Sequence, residues 1–333
     1  MEILRNIKVP TGNILIVEGD KGKIECLSIG DYGKEANLKA DFMGITREIK
    51  HVEHQQMLPL TEKWVITIST QYGCSMNCKF CDVPKVGPGI NATYDDLKNQ
   101  IITGLKLHPE IHSTKRLNVH YARMGEPTWN DEVLEFTRNM RKELYPYIGK
   151  SLIHPVVSTM LPKYNKNLVK YLNDWMVFKY FEFRVYAGLQ FWINSTSDAE
   201  REEMFSGNSL SLSEISEIGK NLDFPKGRKI TLNFAVAGYE VDAEKLRGLF
   251  NPDKFVVKLT PMHKTHTAIE NGIETDGDYT TMYPYQHIEE ELKRVGFDVL
   301  VFIASEYEDL GRITCGNAIL SGTLPECPYT EVL

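Results

Sequence analysis

The period of the apolar positions changes about sixty residues into the chain. Upstream, NILIVEG and KIECLSIG are short apolar runs split by Asp20, Lys21 and Gly22, which predicts a hairpin within a small β-rich module over residues 1–60. From Lys63 onward, strand-like runs alternate with stretches of helical period. WVITIST predicts a first strand and TYDDLKNQIITGLKL a helix. In that helix Thr93 and Asp96 have capping-box spacing, and Leu97, Ile101 and Leu105 share one face. LNVHYA predicts a second strand, with a helix over DEVLEFTRNMRKEL that starts at Asn130. LIHPVVST predicts the third, followed by a helix in NKNLVKYLNDWM. FRVYAGLQFWIN predicts the fourth, with two helices around Glu200–Met204 and Leu212–Asn221. KITLNFAVAG with AEKLRGLF, then FVVKLTP with HIEEELKRVGF, continue the series, and VLVFIAS supplies a seventh strand.

Six or seven strand–helix units in order predict an α/β fold with a parallel sheet and right-handed crossovers. Catalytic groups in such folds gather at the C-terminal ends of the strands. The composition agrees: 42% apolar and 25% charged over 333 residues is globular, not disordered, collagenous or coiled-coil. No apolar run approaches the roughly 18 residues of a membrane span, so no membrane partner is expected. The first twenty residues show no basic-then-apolar secretory pattern, and a cytoplasmic location is the expectation. The formal charge is −7. Proteins that wrap large nucleic acids carry a basic excess, so charge does not support RNA or a nucleotide as substrate, while leaving both open.

Three of the six cysteines, Cys74, Cys78 and Cys81, fall within GCSMNCKFC, just past the first strand of the series. In a reducing compartment such a cluster reads as metal binding or catalysis. Three thiolates on a tight loop suit three irons of a 4Fe–4S cube and leave the fourth iron open to a chelating substrate. Two other readings of the residues stand beside this one. A zinc site could be completed by His263 and His266, and an electron carrier by a fourth ligand, Cys315 or Cys327.

The C-x3-C-x2-C spacing with Phe80 before the last cysteine resembles the radical S-adenosylmethionine (SAM) superfamily. The resemblance covers about residues 63–320. It implies a partial (βα)6 barrel over residues 61–322, ahead of a tail over 323–333. It also implies a 4Fe–4S cluster on Cys74, Cys78 and Cys81, and SAM on the open iron. One electron from an external flavodoxin- or ferredoxin-like donor would cleave SAM and yield a 5′-deoxyadenosyl radical.

Within the superfamily, ARMGEP resembles the branch of the RNA adenine methyltransferases RlmN and Cfr. That resemblance gives Gly125 and Glu126 to the SAM amino group and Ser158, in VVST, to its carboxylate or ribose. Gln190 and Asn194 in LQFWINSTSD would face the cofactor, sharing one side of the fourth strand with Trp192. His263 takes the place of an adenosine-binding asparagine. Cys315, followed by Gly316, takes the place of the family's methyl-carrying cysteine, which receives a methyl group from one SAM before the radical from a second activates it.

Two departures matter. Thr67 stands where the family has a resolving cysteine, so that role would fall to Cys26 or to Cys327 on a mobile tail, or the reaction ends differently. The segment before Cys315 carries Glu306, Glu308 and Asp309 where the family is basic, which disfavours structured RNA. Glu53, one residue out of register with the family's proton acceptor, is a candidate base. The resemblance implies a methyltransferase acting on a carbon of a nucleobase. A radical SAM oxidoreductase on a small molecule or peptide, and a non-catalytic iron–sulfur or RNA-binding protein, are the alternatives.

Overall fold

The computed structural model describes residues 1–33, 37–46, 56–223, 225, 227–275 and 285–332. The chain opens with a meander of β1 (Ile3–Val9), β2 (Gly12–Gly19) and β3 (Gly22–Ile29), then a short β4 (Leu38–Lys39). The series follows with β5 (Trp64–Ile68), a small hairpin of β6 (Gln71–Gly73) and β7 (Pro88–Asn91), and α1 (Tyr94–Leu105). Next come β8 (Leu117–Tyr121), α2 (Glu132–Ile148), β9 (Ile153–Thr159), α3 (Leu168–Phe181) and β10 (Gly188–Trp192). Two helices, α4 (Asp198–Met204) and α5 (Leu212–Asn221), precede β11 (Ile230–Val236), α6 (Ala243–Leu249) and β12 (Phe255–Pro261). The described chain closes with α7 (His266–Glu270), α8 (Gln286–Arg294), β13 (Asp298–Phe302), α9 (Glu306–Leu310) and β14 (Thr330–Val332).

Strands β5, β8, β9, β10, β11, β12 and β13 are parallel neighbours in that order. The parallel row is what the strand–helix alternation predicts, and its two ends do not pair with each other, as in the partial barrel that the resemblance implies. Each end is covered antiparallel instead. Strand β3 lies along β5 with Cys26 opposite Ile68, and β4 lies along β13. Unpaired edges invite association with other chains, and these are closed by the protein itself.

The predicted capping box on α1 is formed: the Thr93 side chain accepts from the Asp96 N–H, and the Asp96 carboxylate accepts from the Thr93 N–H. Two elements differ from expectation. The fourth strand begins only at Gly188, because Arg184 and Val185 hold left-handed φ values of 47° and 67° and turn the chain after α3. The terminal segment is not a free tail, since Thr330–Val332 pairs with β1.

The two faces of the parallel row differ in kind. Toward the helices, Val119, Val157, Val257, Leu259, Val299 and Val301 are fully buried. Toward the lumen, His120, Ser158, Lys258, Leu300 and Phe302 keep solvent access although they alternate with those residues on the same strands. The apolar core is therefore a sheet–helix layer, and the lumen is open.

Candidate active site

The cysteine loop is the tip of the β6–β7 hairpin, so it sits at the C-terminal end of β5. It is fastened to the C-terminal part of the chain. The Asp82 carboxylate accepts from the Thr267 N–H at 2.8 Å and the Thr267 hydroxyl at 2.7 Å, at the start of α7. The Asp82 N–H donates to the Gly316 carbonyl at 2.8 Å. Gly316 itself (φ 88°) lies against the loop: a Cβ there would stand 3.1 Å from Thr265 and 3.2 Å from the Phe80 carbonyl oxygen. This contact explains why a glycine follows Cys315, and it brings Cys315 to the cluster loop from more than two hundred residues away.

Cys74, Cys78, Cys81, Gly125, Glu126, Ser158 and Cys315 all line one cavity, together with Arg123 and Trp192. The structure thus brings together seven of the residues singled out from the sequence. The donor set fits a 4Fe–4S cube. The three sulfurs are soft, and burial raises each thiol's pKa, that of Cys74 to about 12. Metal ligation requires thiolates, so binding of the cluster would release their protons. Backbone N–H groups already point at the sulfurs, from Met76 and Gly125 to Cys74 and from Val83 to Cys81. Such bonds tune iron–sulfur clusters. Among the described residues, no three His, Cys, Asp or Glu side chains converge as a site for one ion. A cube wants its sulfurs spread over separate irons.

Glu126 is buried, and burial raises its pKa. Its Oε2 accepts from the Met160 N–H at 2.8 Å. Its Oε1 accepts from the N–H and hydroxyl of Thr128 at 3.1 and 2.7 Å, and Thr159 adds a fourth bond. A carboxylate has about four acceptor sites. The side chain is thus spent on joining the ends of β8 and β9, and the acceptors this turn has left for an ammonium are backbone carbonyls. Gly125 has φ 93°, and a Cβ on it would lie 2.6–2.7 Å from three atoms of Gln71. We expect Gly125→Ala to lower stability by about 1–3 kcal/mol and to weaken iron uptake, because the strained backbone carries the N–H on Cys74. Thermal unfolding and iron content check both effects.

The remaining candidates fall elsewhere. Gln190 faces the lumen in register with Ser158, two residues before Trp192, and lies outside the cavity wall. Asn194 does not share that face, which corrects the alternation argument. Strand β10 has ended at Trp192, Asn194 has φ 60°, and its amide is committed to the Ala235 N–H (2.9 Å) and the Met204 sulfur (3.2 Å). His263 follows β12 and faces the C-terminal segment, with Nδ1 3.3 Å from the Asp309 carboxylate. Glu53 lies outside the described residues.

Cys327 does not lie on a mobile tail. It packs in an apolar cluster with Ile7, Val9 and Ile14 of the N-terminal strands, apart from the cavity. Cys26 is buried, its thiol directed at the Gln100 carbonyl oxygen and its pKa pushed up to about 12 by burial. Neither lines the cavity, and all six cysteines are free. The acidic run before Cys315 is largely used internally. Glu308 completes the capping box of α9, and Asp309 binds the Thr314 hydroxyl at 2.8 Å. The charge argument drawn from that run therefore weakens.

Sequence reading missed Arg123, although it lies within ARMGEP. Its guanidinium meets the Glu25 carboxylate of β3 at 2.7 Å, with both side chains at most 1% exposed, and it donates to the Arg312 carbonyl oxygen at 2.8 Å. A charged residue directly after a strand's last apolar position was the available signal. Cys315 is accessible, but the concave wall around it raises its thiol's pKa. Lys258 and Arg123 oppose that rise.

In fold, the chain resembles a radical SAM methyltransferase from Sphaerobacter thermophilus. The match has a TM-score of 0.62 at 17% identity and covers 92% of this chain and 77% of that one. In sequence, the chain is similar to proteins named "probable dual-specificity RNA methyltransferase RlmN". It is 27% identical to that of Bacteroides thetaiotaomicron over 187 residues (56% of this chain, 49% of the relative). It is also 27% identical to that of Pseudothermotoga lettingae over 210 residues (61% and 56%). The chain spans about half the length of these curated relatives. No family profile matches it. The sequence comparison bears out the resemblance read from the cysteine motif and the Met-Gly-Glu-Pro turn, and the structural comparison bears out the fold. Among the described residues no helix is long and apolar enough to cross a membrane.

Proposed function

We propose that this chain is a radical SAM methyltransferase that modifies a carbon of a nucleobase, with Cys315 as its methyl carrier. The observation that carries this reading is the shared cavity: three cluster cysteines, the Gly125–Glu126 turn, Ser158 and Cys315 on one wall system. Cys74, Cys78 and Cys81 would hold a 4Fe–4S cluster, which with SAM supplies one-electron cleavage and a carbon radical able to abstract hydrogen. The protein's own residues do the rest. The Gly125–Glu126 turn would orient the SAM amino group through backbone carbonyls, and Ser158 would donate to an acceptor oxygen. Cys315 would give up its proton and take the sulfonium methyl of one SAM as a thioether, with S-adenosylhomocysteine leaving, helped by the positive charge of Lys258 and Arg123. Trp192 closes the cavity on the β10 side and offers a flat apolar face to a planar ring. The electron would come from an external flavodoxin- or ferredoxin-like donor, and a reducing compartment such as the cytoplasm would suit the six unpaired thiols.

The test is anaerobic reconstitution with iron and sulfide, followed by dithionite and SAM. Release of 5′-deoxyadenosine, together with a methyl group on Cys315 by mass spectrometry of the intact protein, is expected. Protein that gains iron and sulfide but produces neither would end the proposal.

A further inference from the structure

We infer that the barrel lumen below Cys315 binds the anionic group of the substrate, and that the substrate is a small phosphate-bearing molecule of mononucleotide size. This deepens the reading just given and rests on it. Parallel strands in register carry Trp192, Asn233 and Lys258 side by side across β10, β11 and β12. Trp192 lines the cluster cavity, and its two in-register neighbours stand beside it on the same face of the sheet.

Three observations point to a ligand there. First, Lys258 has no ion-pair partner among the described residues. Its ammonium stands 5.0 Å from the centre of the Phe302 ring and is within electrostatic reach of Cys315 and Arg228. Arg228, just before β11 at the N-terminal mouth of the lumen, is open to solvent, and water offsets its charge in the free protein. Lys63 and Arg116 of the same mouth share Asp31, which lies 2.6 Å from the Lys63 ammonium. Second, the positive potential is felt by a neighbour. His120, facing the lumen from β8, has its pKa pushed down to about 3, by burial first and then by Arg228, Lys258, Lys63 and Arg116. Third, Asn233 is completely buried, yet neither its Nδ2 nor its Oδ1 has a hydrogen-bond partner. A buried amide without partners is unfavourable until something supplies a donor and an acceptor together. The edge of a nucleobase does so.

An ammonium without an ion pair, beside an amide of this kind and a tryptophan, suits a planar ring with a phosphate attached. The ring would lie near Trp192 and Cys315, and the phosphate between Lys258 and Arg228. Guanidinium and ammonium groups are the usual partners of phosphate. The site is inside the barrel, and so favours a small molecule over a structured polymer.

The experiment uses the reconstituted full chain without reductant, so binding is read independently of turnover. Isothermal titration compares AMP, adenosine, inorganic phosphate and a short single-stranded RNA. AMP is expected to bind roughly ten- to a hundredfold more tightly than adenosine, the worth of a charged hydrogen bond or two, with inorganic phosphate competing. Lys258→Met and Arg228→Gln are each expected to remove most of that advantage while leaving adenosine binding alone. Equal binding of AMP and adenosine, no binding of either, or no competition by phosphate would overturn the inference. RNA binding tighter than AMP would overturn its small-molecule claim. Should either variant fail to fold, the phosphate competition in the unaltered protein still decides. If AMP binds as expected but SAM is never cleaved, the proposed function falls and the anion site stands.

Discussion

Cys315→Ala abolishes methylated product, while the protein keeps its iron and sulfide and still releases 5′-deoxyadenosine from SAM under reduction. This is the expected result if Cys315 carries the methyl group. The residue lines the cavity with the three cluster cysteines and lies within electrostatic reach of Cys81. That proximity has a second chemical meaning, because a fourth thiolate so placed could instead cap the cluster and turn the site into an electron carrier. The two roles separate cleanly. A ligand role predicts loss of iron on substitution, whereas a carrier role predicts intact iron and total loss of methyl transfer. Cys315→Ser should behave like the alanine variant, since a hydroxyl is a far weaker nucleophile than a thiolate. Product formation that survives both substitutions would favour the oxidoreductase alternative. Iron and sulfide analysis with product mass spectrometry reads every outcome.

Arg123→Met is expected to cost about 3–5 kcal/mol of stability, because it strands the Glu25 carboxylate as a buried, unpaired charge. The guanidinium Nε and Nη2 sit 2.9 and 2.7 Å from one Glu25 oxygen, and the other oxygen accepts from the Leu320 N–H. Nη1 holds the Arg312 carbonyl oxygen. One ion pair therefore ties the N-terminal meander, the end of β8 and the segment that presents Cys315. Whole domains are stable by only about 5–15 kcal/mol, so the loss is severe. Replacing both partners, Glu25→Met with Arg123→Met, should recover much of it, because no charge is then left uncompensated. Urea unfolding measures the set. A single-variant cost below about 1 kcal/mol would show that water reaches the carboxylate, contrary to its burial.

Much of the scaffold was legible because its signals are local. The Thr93–Asp96 box, the Asp20–Gly22 turn and the apolar periods act over a few residues, and the structure repeats them nearly unchanged. The cysteine spacing was legible for the same reason. The reading failed where a local pattern meets a distant partner. Alternation placed Asn194 on the lumen face of β10, but the strand stops at Trp192 and the amide turns to Ala235 and Met204 instead. Sequence left open whether the carboxylate or a carbonyl of the Gly125–Glu126 turn faces a ligand; donors from Thr128, Thr159 and Met160 occupy the carboxylate. The acidic residues before Cys315 looked like a repulsive surface, whereas two of them cap a helix and hold Thr314.

The order of strands and helices, and a trio of thiols suited to a cluster, were determined by the amino-acid sequence alone, since hydrophobic period, caps and motif spacing act between near neighbours. Tertiary structure decided what stands opposite those thiols. Glu25 and Arg123, 98 residues apart, meet out of water, and Cys315 is delivered to the cysteine loop by the packing of Gly316. Trp192, Asn233 and Lys258, from three different strands, stand side by side on one face of the sheet. Charge and hydrogen-bonding capacity become a site only when the fold brings such groups within a few ångströms and removes the solvent between them.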